Sequence, residues 1–144
     1  MAIDGDPAGS RADPQPVILV VEDDRGIREA LVTGLELSGY RVLGAGDGLE
    51  ALQWLYSVAP ALIIIDLQMP RMDSVTFVAE LLRRGLRPLT PLLVLSGDSD
   101  IQQKAHAIGA DRFLSKPLRL PTLLREVAAL LSGVRSDGQT GSQV

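Results

Sequence analysis

The chain has 144 residues, 46% of them hydrophobic, a net charge of −4 and no cysteine. One domain with a full core fits that length, since about 150 residues bury roughly two-thirds of the surface their unfolded chain exposes. The acidic balance argues against nucleic-acid binding by electrostatics alone, and without thiols there are neither disulfides nor thiolate metal sites.

Met1 to Pro16 place Gly and Pro among Asp and Ala with almost nothing to bury, and read as a flexible leader over 1–16. That acidic start is unlike a signal peptide, and no apolar run reaches the roughly 18 residues of a membrane span, so the expected location is the cytoplasm. The structured part is expected over 17–132, and the Gly/Ser-rich end over 133–144 reads as a flexible tail or the stub of a linker.

Between these ends the pattern alternates. Val17–Val21 is a short apolar strand that stops at Glu22-Asp23-Asp24, and a helix follows with Ile27, Leu31 and Leu35 inward and Asp24 as its N-cap. Gly39 ends that helix, and Tyr40 to Ala45 reads as a second strand. Asp47-Gly48-Leu49-Glu50 has the spacing of a capping box and opens a helix carrying Leu52, Leu55 and Val58 up to Pro60. Ala61 to Asp66 is an unbroken apolar run ending on a carboxylate, which suits a strand buried on both faces. A third helix is expected from about Asp73, with Val75, Val78, Leu81 and Leu82 inward and Gly85 and Pro88 ending it. Pro91 to Leu95 is a fourth buried strand stopping at Ser96-Gly97-Asp98. The helix after it has only Ile101, Ala105 and Ile108 to bury, so it is expected to be the least firmly packed. Gly109 to Ser115 supplies a helix stop and a fifth strand ending at Lys116-Pro117. The last helix is expected near Pro121, running through Leu124, Val127 and Leu131.

Five strand–helix units imply an α/β domain with a doubly wound parallel sheet, and right-handed crossovers make the flavodoxin-like order 2-1-3-4-5 the natural topology. In such a sheet every strand end lies on one edge. Glu22 and Asp23, Asp66, Ser96 and Lys116 therefore converge into an acidic pocket with one ammonium and one hydroxyl. Three carboxylates held together repel, so either one is protonated or a divalent cation shares them, and an all-oxygen set favours Mg2+. A carboxylate beside a metal ion and an ammonium can act as nucleophile toward phosphorus and form an acyl phosphate. Taken singly, each residue has an ordinary reading: Glu22 and Asp23 as a solvated strand end, Lys116 as a surface lysine, Ser96 as a turn residue and Phe113 as a core aromatic. His106 reads as inert and Trp54 as a boundary packing residue.

Four segments taken in order change that reading: Val20-Val21-Glu22-Asp23-Asp24, Asp66-Leu67-Gln68-Met69-Pro70-Arg71-Met72-Asp73, Leu95-Ser96-Gly97, and Gly109-Ala110-Asp111-Arg112-Phe113-Leu114-Ser115-Lys116-Pro117. With them the chain resembles the response-regulator receiver domains of two-component signalling from about Val17 to Leu131. The resemblance implies that Asp66 is the phosphoacceptor for a histidine kinase or phosphotransfer protein. It implies that Asp23 and Asp66 hold Mg2+, with Glu22 acting through water and Gln68 through its backbone carbonyl. It further implies that Lys116 pairs with Asp66 and then with the phosphoryl group, that Ser96 is the switch hydroxyl and Phe113 the switch aromatic, and that the Lys116–Pro117 bond is cis. A receiver is a self-modifying acceptor rather than a conventional enzyme. Its output face is formed by the fourth helix, fifth strand and fifth helix, which a second copy or a separate effector would read; no nucleic-acid or membrane contact is expected of this chain.

The sequence departs from the family at Ser74, where glycine is usual, which suggests an altered or mildly strained loop. It also departs at Phe113, which lacks the hydroxyl of the commoner tyrosine. Gln68 and Asp98 occupy positions that tune dephosphorylation in the family. Two other classes fit less well: a phosphatase or phosphotransferase of related fold, which would need a second acid/base carboxylate and a cap, neither of which is found, and a degenerate receiver serving as a phosphorylation-independent binding module, against which the joint presence of Asp66, Glu22, Asp23, Ser96 and Lys116 argues.

Overall fold

The computed structural model describes residues 16–69, 71–87 and 89–133. The expected leader and tail fall outside these residues apart from Pro16 and Gly133, as do Pro70 and the proposed helix stop at Pro88. Five strands alternate with five helices: β1 Val17–Val21, α1 Arg25–Leu37, β2 Arg41–Ala45, α2 Gly48–Trp54, β3 Leu62–Asp66, α3 Ser74–Arg83, β4 Leu92–Ser96, α4 Ile101–Ala107, β5 Arg112–Ser115 and α5 Leu120–Leu131. All neighbouring strands pair in parallel, in the order β2-β1-β3-β4-β5, the expected 2-1-3-4-5. No described helix is long and apolar enough to cross a membrane.

The unbroken apolar runs have a simple cause: β3 and β4 are buried at every position because helices cover both faces. Ile18, Val20, Leu62 and Ile64 point to the side packed by α1 and α5, with Leu31, Leu35, Leu123 and Val127. Leu19, Val21, Ile63 and Ile65 point to the opposite side, packed by α2, α3 and α4 through Leu52, Phe77, Leu81 and Ile101. Register then fixes the functional edge. Val21 is level with Ala45 and Ile65, and Asp66 with Leu95, while Ser96 and Ser115 lie one step further out.

Local signals act as the sequence suggests at several helix ends. Asp24 and Asp73 cap α1 and α3 by accepting from Ile27 N at 2.9 Å and Thr76 N at 2.7 Å. Gly39, with φ of 100°, closes α1 in the left-handed region that glycine enters without a Cβ penalty.

The inward faces need correcting in four helices. On α3 it is Phe77, Val78 and Leu81 that are buried, whereas Val75 and Leu82 are exposed. At about 100° per residue, Val75 and Leu82 share a stripe turned roughly a quarter-turn from the core direction. On α5 the innermost residues are Leu123, Val127 and Leu130 rather than Leu124 and Leu131, and the helix begins at Leu120, one residue before Pro121. α2 is shorter than expected: Leu55 N is shared between Ala51 O and Leu52 O, both at 3.2 Å, so the last turn tightens and Leu55 and Val58 lie beyond the helix. On α1, Ile27 is exposed while Leu31 and Leu35 are buried.

Candidate functional site

At the carboxyl edge of the sheet the β1 ladder continues one residue past the strand, Glu22 N donating to Ala45 O at 3.0 Å, and Leu67 N extends the β3–β4 ladder to Leu95 O at 3.0 Å. These continuations hold the Glu22 and Asp66 side chains side by side. Both are buried, at 1% and 5% relative exposure. Lys116, brought in from β5 by its N–H bond to Ser96 O at 2.9 Å, places its ammonium between them, 3.0 Å from Glu22 Oε1 and 2.9 Å from Asp66 Oδ2. The Lys116–Pro117 bond is cis.

Each remaining carboxylate oxygen of the buried pair has a partner. Asp24 N donates to Glu22 Oε2 at 3.1 Å, and Gln68 N donates to Asp66 Oδ1 at 3.0 Å. Burial pushes the Glu22 carboxyl above the ordinary glutamate value and the Asp66 charge adds to that, against the lowering effect of Lys116 and the Asp24 N–H. Burial alone would draw the Lys116 ammonium down, yet Asp66 and Glu22 hold it above the ordinary lysine value. Asp23 completes the cluster from an exposed position, and Glu22, Asp23 and Asp66 each offer an oxygen within 4.8 Å of the others. Three carboxylates against one ammonium leave this pocket electron-rich and able to take a hard cation.

Ser96 is fully buried, and its Oγ accepts from Asp98 N at 3.0 Å. Phe113 is half-buried, level with Val94 and packed on the α2–α4 side of the core. Gln68 lies at the rim, where its Nε2 donates to Asp98 Oδ1 at 2.9 Å, and Lys104 of α4 binds the other Asp98 oxygen at 2.8 Å. The Lys104 contact holds the Asp98 carboxyl below the ordinary aspartate value. Asp98 is thus tied into a bridge between the β3–α3 and β4–α4 loops. Ser74, buried at the start of α3, keeps a negative φ, so glycine's freedom is not required there; among the described residues only Arg71, at φ 71°, is a non-glycine in the left-handed region. His106 is exposed on α4, and half-buried Trp54 donates from Nε1 to Gly44 O at 3.2 Å.

Sequence reasoning missed Lys104, although Asp100 four residues earlier signalled a helical pair; that pair exists at 3.5 Å, and the closer bond goes to Asp98. It also missed Arg28, whose Nη1 donates to the Glu22 backbone oxygen at 2.8 Å, and the ion pair of Arg71 with Asp47 at 2.6 Å. Neither spacing carries a local signature.

The sequence matches the family profile described as the response regulator receiver domain over residues 18–128. It is 40% identical over 116 residues to the response regulator MprA of Mycobacterium tuberculosis, covering 79% of this chain and 50% of that protein. The chain therefore spans about half the length of the curated relatives it matches. Among solved structures, the chemotaxis response regulator CheY4 of Vibrio cholerae is similar with a TM-score of 0.74 and 31% identity, covering 81% of this chain and 98% of that one. A response regulator receiver protein from Pseudomonas putida gives a TM-score of 0.72 at 31% identity, covering 81% of this chain and 98% of that one.

Proposed function

The chain belongs to the response regulator receiver domains, and on that footing we propose that Asp66 accepts a phosphoryl group from the histidine of a sensor kinase or a phosphotransfer protein in a Mg2+-dependent reaction. The observation that carries the proposal is the convergence of Glu22, Asp23 and Asp66 with Lys116 bonded to two of them. Asp23 and Asp66 would hold Mg2+ directly, with Glu22 acting through water and the Gln68 carbonyl adding an oxygen. The donor set fits a hard divalent ion. When bound, Mg2+ offsets negative charge on the phosphoryl oxygens.

The chain's own groups do the rest. An Asp66 oxygen attacks phosphorus in line, forming the P–O bond of an acyl phosphate. The P–N bond to the donor imidazole breaks, and its electron pair stays on the ring nitrogen. Lys116 exchanges Asp66 Oδ2 for a phosphoryl oxygen, and Ser96 turns its hydroxyl to donate to another. Phe113 follows it inward. The added charge and acceptor oxygens then repack α4, β5 and α5. A short α4 suits that movement, because it buries only Ile101 and Ala105 and its N-cap Asp100 makes no side-chain capping bond. A second copy of the chain or a separate effector in the cytoplasm reads the repacked face. We assign this unit to residues 17–132, as a self-modifying acceptor rather than a conventional enzyme.

Intact mass after incubation with Mg2+ and a small acyl phosphate tests the reading, beside Asp66→Asn and a chelated sample. Gain of one phosphoryl group requiring both Mg2+ and Asp66 is expected. A folded chain that binds no Mg2+ and gains none would instead be a phosphorylation-independent binding module.

A further inference from the structure

The loop that leaves Asp66 and carries Gln68 is braced from the side, at the start of α2. Arg71 Nη2 lies 2.6 Å from Asp47 Oδ2, and Asp47 is 7% exposed at its side chain. The other Asp47 oxygen accepts from Glu50 N at 2.8 Å, so this one carboxylate both caps α2 and holds the β3–α3 loop. Next to Arg71, Met72 sits so close over Gly48 that a Cβ there would lie 3.0 Å from its sulfur. The turn that carries Asp47 is itself anchored to the acidic segment, since Ala45 O accepts from Glu22 N at 3.0 Å. Arg71 also occupies the left-handed region, at φ 71°, a conformation that a side chain with a Cβ rarely adopts and that persists where surrounding contacts over-determine it.

We propose that Asp47 and Arg71 are positioning residues for the phosphoacceptor site, fixing the loop whose Gln68 N–H sets the Asp66 carboxylate and whose Gln68 carbonyl would supply the third protein oxygen to the ion. The inference rests on the Mg2+-dependent acceptor reading above. Neither side chain touches the reacting atoms. Their part is to keep the β3–α3 loop in one conformation, so that the ligand oxygens are already arranged when the ion arrives, in the way that outer partners orient metal ligands.

A double-mutant cycle on the whole chain with Asp47→Asn and Arg71→Gln tests this. Asparagine caps a helix about as well as aspartate, so Asp47→Asn removes the ion pair and spares α2. Mg2+ affinity is measured by calorimetry, thermal stability by melting, and exchange of the Gln68, Met69 and Met72 amides in metal-free protein by NMR. Long-range charge alone would move affinity in opposite directions, weaker for Asp47→Asn and tighter for Arg71→Gln. Positioning weakens it in both, by about ten-fold, with the double variant no worse than either single and with faster amide exchange confined to the loop before any metal is added. Affinities that diverge in sign, that add in the double variant, or that equal wild type overturn the proposal, as does exchange that quickens throughout the fold. A wild-type chain that takes up no Mg2+ removes the acceptor reading as well, whereas normal wild-type binding with unchanged variants removes only the role of this pair.

Discussion

Two lysines in this domain bridge acidic groups at nearly equal distances, yet their surroundings differ. Lys116 reaches Asp66 and Glu22 at 2.9 and 3.0 Å, where the carboxylates are 7% and 1% exposed at their side chains. Lys104 reaches Asp98 at 2.8 Å on the rim, where the lysine is 48% and the carboxylate 22% exposed at the side chain. Coulomb attraction at equal separation is several-fold larger where water is excluded, but so is the cost of leaving either charge alone. The inner bridge is therefore a structural obligation of the folded state, and the outer one a contact that water can replace.

The sharpest way to break that contrast is Lys116→Met. It leaves Glu22 and Asp66 buried against each other, and is expected to lower stability by about 2 kcal/mol in chelator, a figure reduced for the partly solvated ammonium. Urea unfolding measures it. A loss indistinguishable from that of a rim substitution would mean that water reaches the inner pair as freely as the outer one.

Mg2+ extends the comparison, because an ion held by Asp23 and Asp66 relieves the same repulsion. At ten times its dissociation constant it is expected to add about 1.4 kcal/mol to stability, and Asp23→Asn should remove most of the gain in thermal melts. Equal stabilisation of wild type and Asp23→Asn would show the ion binding elsewhere.

Glu22 gives the pH signature of the inner site. Its carboxyl lies above the ordinary 4.5 in the fold, with burial the main cause, so between 4.5 and the raised value the folded chain holds more protons than the unfolded one. Its contribution to stability is then complete below 4.5 and is lost as pH rises through the raised value. Glu22→Gln should flatten this part of a stability profile. A wild-type profile that Glu22→Gln leaves unaltered through that window would contradict the burial argument.

How much of this was legible beforehand depends on the range of the interaction that decides each feature. The two-sided burial of β3 and β4 shows in unbroken runs such as Ile63-Ile64-Ile65, and parallel pairing then delivers Glu22, Asp66, Ser96 and Lys116 to one edge without further information. The caps at Asp24 and Asp47 are equally local. Helix rotation was less legible: Val75 and Leu82 are as apolar as Leu81, and only the tertiary position of the sheet decides that Phe77 turns inward instead. The braces were not legible at all. Arg71 and Asp47 are 24 residues apart in number (71 − 47), Gln68 and Asp98 are 30 apart, and nothing in either neighbourhood marks a pairing that exists only once loops converge.

The rim supplies the smallest expected effect. In Lys104→Ala, Asp98 loses the contact that chiefly holds its carboxyl below the ordinary 3.8, so its titration, followed by NMR, should move up toward that value. The stabilising effect of the wild-type contact is present above 3.8 and is lost as pH falls through the depressed value; being solvated, it should also vanish in high salt, where the screening length contracts to about 3 Å at 1 M. Urea midpoints of wild type and Lys104→Ala should therefore agree closely at neutral pH and converge completely in salt, while the Lys116→Met deficit persists under the same conditions. A deficit in Lys104→Ala that survives 1 M salt would mean that the Gln68–Asp98–Lys104 bridge shares the buried character of the inner site, and that the two loops at the rim are as firmly joined as the strand ends beneath them.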